Sequence, residues 1–146
     1  MSYFFFRGKH YFIVRYIFYK LRKSSLVQQT QSKKNYNALY ELDSIDSKNP
    51  RLVGWIRDHA SNTFMETDKS NGLEDMRALV MNDKVFVVGT SYQMTYSPDK
   101  NSAFVAELNL DRDTPTLEQV FTIITPEPKR VEKNWIPIAY NCSNSR

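Results

Sequence analysis

Apolar and polar residues alternate in short bursts along this chain, and turn-forming residues punctuate each burst. The runs are Tyr3–Arg7, Tyr11–Tyr19, Tyr36–Asp43, Arg77–Met81, Val85–Ser91, Ala103–Leu110 and Leu117–Ile124. They are rich in Phe, Tyr, Val and Ile, whose branched or flat side chains suit a pleated surface. Arg7-Gly8-Lys9 and Asn82-Asp83 signal tight hairpin turns. Polar loops fill 24–35, 60–72 and 93–101. No stretch keeps a capped helical period, so the pattern predicts an all-β fold.

The runs also repeat. FFRGKHYFIVRY and LVMNDKVFVVGT align at a constant offset of 74 residues, with Phe12 against Phe86 and Val14 against Val88. A second echo sets Glu74-Asp75-Met76-Arg77 against Glu132-Lys133-Asn134-Trp135, at an offset of 58. Four-stranded antiparallel units in tandem are the pattern of β-propeller blades, and a ring closes with about 4–8 of them. Residues 3–57 read as an incomplete blade, 74–124 as a complete one, and 132–146 as the start of a further blade. The expected architecture is a partial β-propeller of two blades, cut at both ends.

Composition narrows the picture. The 146 residues include nine Tyr, nine Phe and two Trp, enough apolar bulk for one real core. Residues 1–34 hold eight Lys/Arg and no acid, whereas residues 35–146 hold twelve against sixteen acids. Such asymmetry admits a nucleic-acid-binding reading, set against basic residues that merely decorate the polar faces of strands. The N-terminal MSYFFFRGKHYFIVRYIFYKLRK is interrupted by Arg7, Lys9 and Arg15. It therefore lacks the clean apolar run of a signal peptide or a spanning helix, and reads as sheet. A cytoplasmic chain is the default expectation.

The stretch GLEDMR sets Glu74, Asp75 and Arg77 at the opening of a strand. Read alone, an Asp and an Arg two apart are a local ion pair that fixes a turn. GLEDMR followed by a hairpin ending in GTS, and then by EKNW with Pro137, resembles a known family. The chain is similar to the five-bladed propeller superfamily of glycan-active enzymes. Within it, the likeness is to glycoside hydrolase family 130, the mannoside phosphorylases and hydrolases, and to β-mannosyltransferases. The N-terminal YFIVRYIFYKL is similar to that family's first-blade segment, with Arg15 and Tyr16 as its Arg-Tyr pair. Phe18 stands where the family usually carries Asn.

The resemblance implies a sugar pocket on the propeller axis, built from residues that open the inner strands. Asp75 is then the candidate catalytic acid or charge stabiliser, as glycosyl transfer requires. Glu74 would orient a sugar hydroxyl, and Arg77 would hold an anionic acceptor such as phosphate. Lys133, Asn134, Trp135 and Arg15 complete the implied substrate-binding set, Trp135 as an aromatic face for a sugar ring.

The implied partner is a carbohydrate on mannose-like lines, with no cofactor. Two blades without the rest of a ring are expected to lack catalysis on their own. The competing reading is a non-catalytic carbohydrate- or protein-binding module that completes its ring by self-association. Other chemistry finds no support. His10, His59 and Cys142 have no zinc-ligand spacing. The chain has no Gly-rich phosphate loop and no G-x-S-x-G elbow. Asn141-Cys142-Ser143 fits the N-glycosylation pattern by chance.

Overall fold

The computed structural model describes residues 1–21, 31–58, 72–92, 101–123 and 136–138. These residues are all-β, with no helix among them. Consequently no helix there is long and apolar enough to cross a membrane.

The first sheet is an antiparallel meander of β1 (Ser2–Phe6), β2 (Lys9–Leu21), β3 (Gln31–Leu42) and β4 (Arg51–Trp55), in that order. A two-residue strand, β5 (Arg57–Asp58), follows. The second meander is β6 (Leu73–Met81), β7 (Lys84–Tyr92), β8 (Asn101–Asn109) and β9 (Thr116–Thr122), with β5 added in parallel on β9. β3 begins at Gln31 rather than Tyr36, so residues 31–35, expected as loop, are strand, and β4, β5 and β6 also depart from the predicted runs. β4 is not among them, because its sequence RLVGW exposes Arg51, Leu52 and Trp55 and so shows no apolar alternation. β6 begins at Leu73 rather than Arg77, which places both acids of GLEDMR inside the strand.

Each meander opens with a two-residue hairpin. Arg7 (φ 47°) and Gly8 (φ 79°) form the first turn, Asn82 (φ 52°) and Asp83 (φ 54°) the second. Two successive positive φ values give the type I′ geometry, whose twist matches that of the flanking strands.

The sheets stack face to face around one core. Phe4, Phe6, Tyr11, Ile13 and Leu39 of the first meet Val85, Val87, Phe104, Ala106, Leu108 and Leu117 of the second. Burying each large side chain contributes about 1.5–3 kcal/mol. Within the first sheet, Phe4 and Tyr11 lie opposite in register and stack, with centroids 5.1 Å apart. Hydrogen bonds cross between the meanders as well. The Ala78 amide donates to Ser2 Oγ at 2.9 Å, and Asn37 Nδ2 donates to the Leu73 carbonyl at 2.9 Å.

These crossings define how the two meanders relate. Ser2 lies beside Ala78, and Arg7 pairs with Asp83 at 3.5 Å, so β1 runs alongside β6 in the same direction. When the hairpins are aligned on their turns, Phe6 matches Met81 and Lys9 matches Lys84, an offset of 75. The sequence echo at 74 is thus one residue out, and one residue turns a strand over. At 75, the core-facing Tyr11 and Ile13 correspond to Phe86 and Val88, which alternate away from the core residues Val85 and Val87. The core face of the first sheet is therefore the counterpart of the outward face of the second.

One ion cluster ties the first sheet together. Glu41 accepts from Lys9 Nζ at 3.0 Å and from both Nε and Nη2 of Arg51. Burial pushes the Glu41 carboxyl up, but hydrogen bonds from Arg51 and Lys9 outweigh it and leave the carboxyl below its ordinary range. A depressed carboxyl contributes stability above its unfolded value, which is lost as pH falls through the folded one. Glu41→Gln is expected to melt about 2–4 °C lower than the parent at pH 7. The two melting curves should converge once the pH is well below the ordinary carboxyl range, which a pH series of thermal melts will check.

Candidate functional site

The opening of β6 crosses the far end of the first sheet, away from the two hairpin turns, and a polar cluster forms there. Asp75 sits in the left-handed region (φ 52°), at a bulge where the β6–β7 register shifts between Glu74 and Arg77. Asp tolerates that conformation better than most residues, and bulges re-aim side chains. Here the bulge sends Asp75 toward β2, where its Oδ1 accepts from Arg15 Nη1 at 2.6 Å. Arg15 Nε donates to Asn35 Oδ1 at 2.9 Å, and Asn35 Nδ2 donates to Glu74 Oε1 at 2.9 Å. Arg15 Nη2 lies 3.7 Å from the same Glu74 oxygen. One guanidinium on β2 thus serves two carboxylates of β6 and an amide of β3.

Burial makes the cluster costly to disturb. The Arg15 and Glu74 side chains are 18% and 12% exposed, whereas that of Asp75 is 36% exposed. The wetter carboxylate is the one left facing outward. Next to it, Asn37 Nδ2 donates to the Leu73 carbonyl at 2.9 Å. Thr90 and Ser91 lie opposite Glu74 and Leu73 in the β6–β7 register. Among the described residues, Asn37 Oδ1, Thr90 Oγ1 and Ser91 Oγ are buried without a hydrogen-bond partner. Such groups cost about 1–3 kcal/mol each when left unpaired.

Of the residues singled out from the sequence, Glu74, Asp75 and Arg15 are brought together. Arg77 is not among them: its exposed guanidinium reaches the Met1 carbonyl at 3.3 Å. Lys133, Asn134 and Trp135, and with them the echo at offset 58, lie outside the described residues. Asn35, Asn37, Thr90 and Ser91 were not legible as site residues. Thr90 and Ser91 stand in the GTS that ends the hairpin, and Asn35 and Asn37 alternate in step with Leu39 as polar residues on a core-facing row.

Among the described residues, no group of three or more His, Cys, Asp or Glu side chains is placed to hold a metal ion. No protein-family model, curated protein or solved structure matches the chain.

Proposed function

We propose that this chain is a carbohydrate-handling section of a β-propeller, related to the glycan-active propeller enzymes, in which Asp75 presents a carboxylate to sugar hydroxyls. The observation that carries the reading is the bulged Asp75, held in a left-handed conformation by Arg15 at 2.6 Å where an inner strand would open. Local strain maintained by surrounding contacts is characteristic of functional positions. The stacking of two like meanders, with β1 and β6 side by side and codirectional, supports the propeller part of the reading.

The same geometry refines the roles. Asp75 accepts a charge-assisted hydrogen bond from Arg15, an arrangement suited to a carboxylate that binds hydroxyls or faces a developing positive charge. Arg15 is engaged on Asn35, Asp75 and Glu74, and Arg77, the candidate for holding an anionic acceptor, reaches the Met1 carbonyl outside this cluster. Binding of a mannose-like glycan, without turnover by this chain alone, is the function these contacts favour.

Asp75→Asn is expected to weaken binding of a β-mannoside oligosaccharide at least tenfold. Isothermal titration of parent and variant checks this, with circular dichroism to confirm an unchanged fold. Equal affinities, or no binding by the parent across a panel of glycans, would sink the reading.

The nucleic-acid alternative has less to support it among the described residues, where three basic side chains of 1–34 meet carboxylates. Arg7 pairs with Asp83 and Asp111, Lys9 with Glu41, and Arg15 with Asp75. These basic residues neutralise the chain's own carboxylates.

A further inference from the structure

The two sheets each present one face to the shared core and one face outward, and both outward faces are apolar at their centres. On the first sheet, registered rows run Tyr3–Phe12–Tyr40–Leu52 and Val14–Ala38–Trp55. Tyr3, Leu52 and Trp55 are 46%, 46% and 44% exposed. Phe12, Val14, Tyr16, Tyr40 and Leu42 line a groove of about 440 Å³. On the second sheet, the outward row is Arg77–Val88–Val105–Phe121, in which Val88 is buried and Phe121 is 61% exposed. Exposed apolar surface such as the first sheet presents marks an interaction site.

The internal geometry indicates what fits. The core of this molecule is itself a junction between the inner face of one meander and the counterpart-opposite face of the next. Aligned on their turns, the outward face of the first sheet is equivalent to the core face of the second, as Phe12 is to Val87. The surface that would pack on it in the same manner is one equivalent to the first sheet's core face. The outward face of the second sheet is that surface. Charge agrees with this pairing. Residues 1–58 carry eleven Lys/Arg and four acids, a net of +7, while residues 72–123 carry four Lys/Arg and eight acids, a net of −4. Two copies meeting first sheet to first sheet would oppose like charges. First sheet to second sheet opposes unlike ones.

We infer that the two outward faces are the halves of one head-to-tail interface between copies of this chain, so that each junction between molecules repeats the junction inside one. This rests on reading the two sheets as consecutive blades. Because such a contact is heterologous, it leads to a closed ring where the rotation allows and to an open chain where it does not. Two copies bring together four sheets, and three bring six, both within the propeller range of about 4–8.

Sedimentation velocity and light scattering on the full chain at micromolar concentration test this. The expected mass is two or three times that of one chain. Phe12→Asp disables the first face and Phe121→Asp the second, and each variant alone should lose the closed assembly. Mixed in equal amounts they should form a one-to-one pair, because each supplies the face the other lacks. Tyr3→Asp, at a more exposed position, replaces Phe12→Asp if circular dichroism shows the latter unfolded. A monomeric parent would overturn the proposal. So would a Phe121→Asp variant that assembles as the parent does, since that indicates contact between first sheets. Glycan titration on the same samples reads the other claim separately: a monomer that binds mannoside refutes the interface alone, and an assembly that binds none refutes the sugar site alone.

Discussion

Gly72→Ala is expected to destabilise the protein by about 3 kcal/mol or more and to disorganise the cluster at the opening of β6. Gly72 adopts φ +74°, where a residue with a Cβ pays about 1–2 kcal/mol. An added Cβ would also fall inside contact distance of the Asn35 carbonyl oxygen and 3.3 Å from its carbon. Those are backbone atoms of β3 and cannot swing aside as a side-chain tip could. Moving β3 there displaces Asn35, which bridges Arg15 to Glu74 through its two amide atoms. Gly8→Ala separates the two effects. Gly8 also has a positive φ, of +79°, but a Cβ there meets nothing within 4 Å. Its cost should stay near about 1 kcal/mol, from backbone conformation alone. Urea denaturation of both variants checks the contrast, and equal losses would show that the close approach of β6 to β3 is not tight.

Phe104→Ala is the second large effect expected, at about 3–5 kcal/mol. Phe104 is fully buried and lies across from Gly89 in the β7–β8 pair. Its ring occupies the space a Cβ on Gly89 would need, with ring atoms within 2.8–2.9 Å of that position. Aromatic cover of a cross-strand glycine is a known means of pinning register. The neighbours Val87, Ala106 and Leu117 are held by sheet hydrogen bonds and cannot close around a lost ring, so a cavity remains. Against a typical total of about 5–15 kcal/mol, that loss should lower the melting temperature on the order of 10 °C. Phe104→Leu keeps most of the volume and should cost less than half as much. Thermal melts of the pair give the comparison.

Alternation and turn chemistry made the all-β class legible, because a half-buried strand must alternate and a two-residue hairpin needs residues that accept positive φ. The same signal failed at β4, where Arg51, Leu52 and Trp55 are all exposed and alternation has no core to reflect. The repeat was visible but misplaced by one residue. Phe12 and Phe86 match as letters, whereas the two turns set the true correspondence at 75. At the candidate site, GLEDMR drew attention to the right strand opening. It could not reveal that Arg15, sixty residues earlier, and not the neighbouring Arg77, would be the cation on Asp75. That choice depends on the bulge, and the bulge depends on how β6 meets β3, which no local pattern encodes. Asn35 was hidden because the polar stretch 24–35 reads as loop, whereas residues 31–35 extend β3 and set Asn35 against Arg15 and Glu74.

A sugar at the opening of β6 must meet the Arg15–Asp75 pair. The side-chain Nε–H of arginine gives its own signal in nitrogen-edited NMR spectra, and the Arg15 proton points at Asn35. Titration with a β-mannoside oligosaccharide should shift the Arg15 Nε–H resonance together with the amides of Asp75, Thr90 and Ser91. The Nε–H of Arg51, locked on Glu41 in the first sheet, should stay put. Shifts confined to the Phe12–Tyr40 face, or no shift at saturating glycan, would contradict the placement of a carbohydrate site at the opening of β6.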